Sequence, residues 1–324
     1  MKHIFGPVPS RRLGNSLGID VVPSKTCTLN CIYCECGITN HSSDTPASYF
    51  SLSSVRHQLQ EALASIPDGS LDYITFSGSG EPTLNKNLGE IIQWVVQHRQ
   101  EKVAVITNST LLYQENVREA LKNAHLIMPT LCTTNASTFS KIHRPVSDRI
   151  TVEKVMEGIR LFSKSYEGEI HIEIFFVPGL NDTSTEIKNL IRFLKTISFQ
   201  KIYLNTANRP GTEPEVKKMT HSRLLDLKQA FPSDWIVETS GDYFTKKDKT
   251  IQYAWKSLKE MLLRRPVALS ELSKMTGLDD TQLLQELQKL AHTNKLSLKK
   301  YQQNGFYFLR FFHQQDANER YFSG

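Results

Sequence analysis

Long apolar runs are absent from this 324-residue chain. Residues 1–9 carry nothing like a secretory hydrophobic segment, and no later stretch has the roughly 20 apolar residues needed to cross a bilayer. A cytoplasmic protein without a membrane partner is the expectation. Cysteine is scarce as well, with five in the whole chain, and disulfides are rare in a reducing compartment. Internal repeats, low-complexity tracts and blocks of like charge are also missing. The net charge of +6 comes from 39 Lys and Arg scattered among 33 Asp and Glu, which pulls only weakly toward anionic partners.

The remaining pattern is that of an α/β protein. Short apolar runs at 17–22, 73–77, 103–107, 126–131, 170–177 and 202–205 read as buried strands. They alternate with amphipathic stretches near 51–66, 88–97, 117–123, 152–164, 184–197 and 221–230, the signature of βα units around a parallel sheet. Six such units predict a partial (βα)6 parallel barrel over residues 1–240. Turn residues follow the strands at Pro82, Pro178-Gly179 and Arg209-Pro210-Gly211, so the polar residues of interest fall just past strand C-terminal ends, where parallel α/β folds place ligands.

A polar, lysine-rich stretch at 241–250 reads as a linker. Beyond it, in 251–324, helical patterns at 255–263, 270–276 and 281–292 precede two short strands at 295–300 and 305–310, an order that resembles a winged helix-turn-helix domain. From residue 255 onward eleven Lys and Arg face seven Asp and Glu, a sign that suits nucleic acid. The recognition helix, however, would begin at Asp279-Asp280 and offers no arginine, which makes sequence-specific DNA binding doubtful. Contact with RNA or an acidic peptide, or a lid or dimer contact, are the other readings.

Four of the five cysteines lie within ten residues. Cys27, Cys31 and Cys34 fall at spacings of four and three in the loop after the first strand, a loop that can curl around a cubane iron-sulfur cluster. Three thiolates on four irons leave one iron open to a cofactor. A zinc ribbon would need a second, separated Cys-x-x-Cys pair, and only Cys36 and the distant Cys132 remain. Unliganded packing cysteines are the third alternative, less often so clustered.

Cys27-x3-Cys31-x2-Cys34, with Tyr33 in the aromatic slot before the last cysteine, resembles the defining motif of the radical S-adenosylmethionine superfamily. The likeness implies a 4Fe-4S cluster on Cys27, Cys31 and Cys34 and S-adenosylmethionine as the second cofactor. It extends to Gly78-Ser79-Gly80-Glu81-Pro82, similar to that family's glycine-glutamate segment, where backbone groups take the methionine amino group and Glu81 would face the ammonium. Thr107-Asn108-Ser109 resembles the turn that faces the ribose, and Val177-Pro178-Gly179-Leu180-Asn181-Asp182 the segment that packs on adenine. Glu173 counts with these cofactor-side residues, although strand alternation leaves open whether it faces lumen or solvent. Segment 10–20, Asn205-Thr206 and Arg209-Pro210 are similar to a branch allied to the enzymes that form the tricyclic wyosine base in tRNA. The further cysteines that hold a second cluster in those enzymes are missing.

The resemblance implies reductive cleavage of S-adenosylmethionine to methionine and a 5'-deoxyadenosyl radical, which abstracts hydrogen from a substrate. A flavodoxin or ferredoxin would supply the electron, and tRNA is the leading substrate, with a peptide or small molecule as rival. Three residues are candidates on the substrate side. Cys132, after the fourth strand, would quench a product radical or bind substrate, and Arg144 and Arg209, beside prolines in loops, would clamp a carboxylate or phosphate. An iron-sulfur redox sensor acting through the C-terminal module is the alternative from another class, though it has no use for a cofactor cradle.

Overall fold

The computed structural model describes residues 3–10, 12–240, 255–303 and 306–314, so the expected linker at 241–250 lies outside the described residues. The chain opens with a hairpin of β1 (Ile4–Ser10) and β2 (Gly14–Ile19), followed by the two-residue strands β3 (Thr26–Cys27) and β4 (His41–Ser42). There follow α1 (Leu52–Leu63), β5 (Tyr73–Phe76), a short 3-10 turn at Pro82–Leu84, α2 (Leu88–His98), β6 (Lys102–Thr107), α3 (Glu115–Leu121), β7 (Leu126–Pro129), α4 (Ala136–His143), α5 (Val152–Ser165), β8 (Glu169–Phe176), α6 (Ser184–Leu194), β9 (Lys201–Thr206), α7 (His221–Gln229) and β10 (Val237–Thr239).

The main sheet has eight strands in the order β1-β2-β5-β6-β7-β8-β9-β10. Seven of them run parallel, from β2 to β10, and only β1 is antiparallel. All six expected strands are present within a few residues, in sequence order across the sheet, as βα connectivity requires. A mostly parallel sheet with its edges at β1 and β10 is consistent with a partial barrel. Its strands are apolar throughout because both faces are covered: β8 buries Ile170, Ile172, Ile174 and Phe176 under the helices, while the alternate residues His171, Glu173 and Phe175 face the other way. Ser51, Thr151, Thr183 and Thr220 cap their helices by accepting a backbone N–H of the first turn, which fixes where each helix starts.

After the undescribed segment come α8 (Trp255–Arg264), β11 (Val267–Ala268), α9 (Leu269–Thr276), α10 (Asp280–Thr293), β12 (Leu296–Gln303) and β13 (Phe306–His313). The three strands form a separate antiparallel sheet, β11-β13-β12. Leu258, Met261, Leu272, Leu283, Leu287, Leu309 and Phe311 make a second core, which Val8 of β1 joins. Strand β1 therefore hydrogen-bonds to the main sheet while packing into the C-terminal core. Charged side chains seal the same junction. Arg264 lies 3.6 Å from Asp20, Arg209 bridges to Glu271 at 3.1 Å, and Arg310 Nη2 donates to the Cys36 carbonyl at 3.0 Å. Among the described residues no helix is long and apolar enough to cross a membrane.

Candidate cofactor site

The cysteine loop leaves β2 and is pinned from several directions. Its Asn30 and Ile32 amides donate to the carbonyls of His143 and Ile142 at the end of α4. Thr212 Oγ1 donates to the Cys31 carbonyl at 2.9 Å, and Cys34 N closes a turn onto Cys31 O at 3.1 Å. With the backbone so fixed, each of the three sulfurs meets a nitrogen from the protein. Asn108 Nδ2 is 3.5 Å from Cys27 Sγ, His143 Nδ1 is 3.2 Å from Cys31 Sγ, and Lys25 Nζ is 3.6 Å from Cys34 Sγ.

Burial, with Glu81 nearby, pushes the Cys27 thiol up to about 12, and burial with the neighbouring Cys27 and Cys34 raises the Cys31 thiol well above its usual range. The Cys36 thiol donates to Cys34 and holds it well below its usual range, while its own rises. Burial also pushes His143 down to about 4, so its ring is neutral and one ring nitrogen has a hydrogen to donate to sulfur. Cys27 and Cys31, raised by burial, keep their protons until a metal takes the protons' place, whereas Cys34 is drawn toward the thiolate by Cys36 and Lys25. Amide, imidazole and ammonium donors aimed at these sulfurs stabilise the thiolate form that a metal requires. The donor set fits an iron-sulfur cluster. Among the described residues no three His, Cys, Asp or Glu side chains converge on a single-ion site, and a cubane differs from one zinc ion in taking each thiolate on a separate iron.

The glycine-glutamate segment lies against this loop. Lys25 N donates to Ser79 O at 3.1 Å and Glu81 N to Thr26 O at 3.0 Å. A Cβ on Gly80 would sit 2.2 Å from the Thr26 carbonyl oxygen, and one on Gly78, whose φ is +153°, 2.4 Å from the Asp20 carboxyl; only glycine permits so close an approach. Asp20 in turn accepts from Ser79 N and Oγ at 3.0 and 2.8 Å. Glu81 is buried and accepts from Thr83 N, Thr83 Oγ1, Thr107 Oγ1 and Asn108 N at 2.6–3.1 Å. Its carboxylate ties the β5 loop to the β6 loop. Pro82 starts the 3-10 turn that follows.

Thr107 and Ser109 are buried, the latter at φ 69° with its hydroxyl on Thr130 O. Asn108 reaches Thr28 as well as Cys27. The 177–182 turn is held by Asn181, which is fully buried: its Oδ1 accepts from Val177 N, and its Nδ2 donates to Cys132 O and Phe175 O. With both ends of the amide bonded to backbone, Asn181 shapes the turn. Gly179, at φ +81°, has open space around it. Tyr33 stacks on Phe175 at 3.8 Å between centroids, and its hydroxyl is 3.7 Å from the buried Cys132 sulfur.

Glu173 faces the inner side of the sheet, ion-paired to Arg12 and bonded to Thr130 and Asn205 at 3.0 Å each. The two candidate arginines have different surroundings. Arg144 caps α4 with a left-handed backbone and pairs with Glu213 at the rim, its side chain 47% exposed. Arg209 is 7% exposed and grips both Glu35 and Glu271 at 3.1 Å. Sequence reasoning did not assign roles to Asp20, Lys25, Glu35, Arg12, Arg264 or Arg265. The signal available was an acid or base beside the cysteine motif, and it is too common to single out.

A model of the Radical SAM superfamily matches residues 21–194. A UPF0026 protein of Helicobacter pylori is 30% identical over 94% of this chain and 96% of its own length. GTPase Obg of Brachyspira hyodysenteriae is 33% identical over 91% of this chain, which spans only 43% of that protein's length. The structure of TYW1 with a lysine-pyruvate adduct bound superposes with a TM-score of 0.51 at 18% identity, over 66% of this chain and 72% of that one, a likeness of fold. The chain belongs to the radical SAM superfamily, as an iron-sulfur enzyme whose cofactors are a 4Fe-4S cluster and S-adenosylmethionine.

Proposed function

We propose that Cys27, Cys31 and Cys34 hold the cluster and that the enzyme starts hydrogen abstraction on a substrate held against the inner face of the sheet. The observation that carries this is the convergence of Asn108, His143 and Lys25, from three separate elements, on the three sulfurs. When bound, the cofactors supply the reductive cleavage that generates the 5'-deoxyadenosyl radical. The protein's residues do the rest. Lys25, Asn108 and His143 stabilise negative charge on sulfur, which tunes the potential. Gly78 and Gly80 let backbone carbonyls and amides approach the methionine end, and Glu81 fixes the Thr107–Ser109 turn for the ribose side. Tyr33, Val177 and Gly179 form the wall toward the adenine, with Asn181 holding it in place.

The substrate reading is modification of tRNA, supported by the likeness of segment 10–20 and Arg209-Pro210 to the wyosine-forming branch. The C-terminal helices and hairpin, read as a winged-helix domain over 251–324 behind a barrel of 1–240, would serve as the docking module. A flavodoxin or ferredoxin would bring the electron. A small-molecule substrate is the second reading, favoured by a small, arginine-lined cavity beside Gly78. Anaerobic reconstitution with iron and sulfide, followed by S-adenosylmethionine and dithionite, tests the chemistry: 5'-deoxyadenosine is expected, and its absence from a protein with an intact cluster spectrum sinks the proposal. Nucleoside mass spectrometry of tRNA from a deletion strain tests the substrate, and an unchanged profile removes tRNA.

A further inference from the structure

A cavity of about 230 Å³ lies between β1, β2 and β5 of the main sheet, the loop carrying Cys36, and α8 of the C-terminal module. Gly78 also lines it, which sets it beside the segment proposed for the methionine end of the cofactor. Among the described residues its charged lining is four arginines, Arg12, Arg209, Arg264 and Arg265, against one carboxylate, Glu35. The acids that balance the arginines stand behind them, Glu173 for Arg12, Asp20 and Glu260 for Arg264, and Glu271 for Arg209, and none of these four acids lines the cavity. The wall therefore presents positive charge inward.

Arg209 Nε and Arg265 Nη1, which face this region, are buried with no hydrogen-bond partner among the described residues. Glu35 sits between the same two side chains, 3.1 Å from Arg209 Nη1 and 3.9 Å from Arg265 Nε, and cannot serve every face of both. Burial, together with the charge of Arg209, lowers the pKa of Arg265, whereas for Arg209 burial is outweighed by Glu35 and Glu271, which raise its pKa. Of the two guanidinium groups it is therefore Arg265 whose charge is under-compensated. Buried polar donors in folded proteins are almost always paired, and an unpaired one in a cavity points to a missing ligand.

We infer that the cavity binds a compact oxyanion of the substrate, a carboxylate or a phosphate, through Arg209 and Arg265. The inference rests on the proposed function, because it takes Gly78 and Cys36 to mark the cofactor's side of the cavity. The planar fork of arginine matches two oxygens of either anion, and Arg12 and Arg264 add to the attraction without leaving their own acids. The volume lies below the roughly 300–1,000 Å³ of ordinary ligand sites, so the cavity takes a small group, with any larger part of the substrate remaining outside. Arg265 immediately follows α8, so the site is incomplete without the C-terminal module.

The test is calorimetric titration of the full-length, cluster-loaded protein under anaerobic conditions with inorganic phosphate and, separately, succinate, each with and without saturating S-adenosylmethionine. Binding of at least one anion is expected in both conditions, weakened at least about tenfold by Arg265→Met and about threefold by Arg265→Lys, which keeps the charge but loses the fork. Phosphate alone binding assigns a phosphorylated substrate, succinate alone a carboxylate, and both together an oxyanion site open to either. No binding of either, undiminished binding by Arg265→Met, or displacement of the anion by S-adenosylmethionine overturns the inference. Should Arg265→Met not fold, Arg265→Lys decides, and undiminished binding by it counts against the site. Failure of the proposed function reads out separately, as the absence of 5'-deoxyadenosine from the wild-type protein.

Discussion

The cofactor side and the arginine cavity share a wall at Gly78 and Cys36 yet treat their polar groups in opposite ways. Around the cysteines the protein answers its own charges: Glu81 takes four hydrogen bonds from Thr83, Thr107 and Asn108, Asp20 takes two from Ser79, and Asn181 bonds only to backbone. In the cavity, donors on Arg209 and Arg265 find no partner among the described residues. On the cofactor side Thr26 Oγ1, next to Cys27, is an exception, buried with no partner among the described residues. The network of Glu81, Asp20 and Asn181 is satisfied, and a satisfied buried network rigidifies its surroundings, which suits a cofactor that must be held in one geometry. Donors left over are suited to a ligand that comes and goes. If the contrast is functional, damage on the cofactor side should appear as lost chemistry or lost stability, whereas damage in the cavity should appear as lost binding.

The largest effect should follow from removing a sulfur. Cys31→Ala deletes one of three thiolates and leaves His143 Nδ1, now 3.2 Å from its target, without that partner. Production of 5'-deoxyadenosine by the reconstituted protein should fall by a factor of at least about 1,000, the scale on which loss of a group that assembles the reacting centre acts. A variant retaining a tenth of the wild-type yield would show that Cys31 is not a cluster ligand. Next in size comes Gly80→Ala. The added methyl would meet the Thr26 carbonyl at 2.2 Å and Val22 at 2.7 Å, and backbone cannot yield as a side-chain tip can. Urea unfolding of the metal-free variant should show a loss of about 3 kcal/mol. A loss below about 1 kcal/mol would mean that the segment and the cysteine loop are not held together as tightly as their hydrogen bonds imply.

A smaller, pH-dependent effect should distinguish the buried histidine of the cofactor side. His143 falls from its usual 6.5 to about 4 through burial, so below pH 6.5 the unfolded chain takes up a proton that the folded protein refuses. Its contribution to stability is thus complete above pH 6.5 and is lost as pH falls toward 4, with a limiting slope of about 1.4 kcal/mol per pH unit. Asp20 and Glu81 are shifted up by burial and act with the opposite sign, so the comparison has to be made against His143→Phe in the metal-free protein. The variant's stability should fall less steeply across that window, by up to one proton's worth of slope. Parallel curves would mean that the imidazole is not desolvated.

How much of this was legible in the sequence depends on the range of the interaction. Buried parallel strands advertise themselves as apolar runs, and the six that matter were readable. Strand β1 was not, because Pro7 and Pro9 argue against a strand; it survives as the antiparallel edge, where a missing N–H is tolerated. The three residues of β10 are too few for a period, and α4 has only Phe139, Ile142 and His143 buried, too faint a stripe for a helix. The cysteine motif is local, so its spacing was visible, and so were the glycines beside it. What Glu81 binds was only partly so: Thr83 lies two residues on, but Thr107 and Asn108 come from the next strand's loop, 26 and 27 residues on. Glu173 illustrates the same limit: alternation gives two faces but not which is inner, and only the pairing with Arg12 and Asn205 settles it. The arginine cavity joins residues more than 250 positions apart, and no local pattern carries that information.

The smallest effect should belong to Arg144, and it sharpens the contrast because Arg144 and Arg209 look alike in the sequence, each an arginine before a proline in a loop past a strand. Arg144 stands at the rim with its side chain 47% exposed, paired to a Glu213 that is itself 30% exposed. Water and salt screen such a pair, and holding two long side chains together costs entropy, so exposed ion pairs contribute about 0–1 kcal/mol. Arg144→Ala should therefore shift the unfolding free energy by less than about 1 kcal/mol, with a difference from wild type that shrinks further as salt is raised from low to molar concentration. Phosphate or succinate binding to the cavity should be unaffected, since Arg144 lines a different depression, with Lys141, Glu213 and Lys217. A drop in anion affinity comparable to that of Arg265→Met would place the oxyanion site at the rim and erase the distinction between the two arginines.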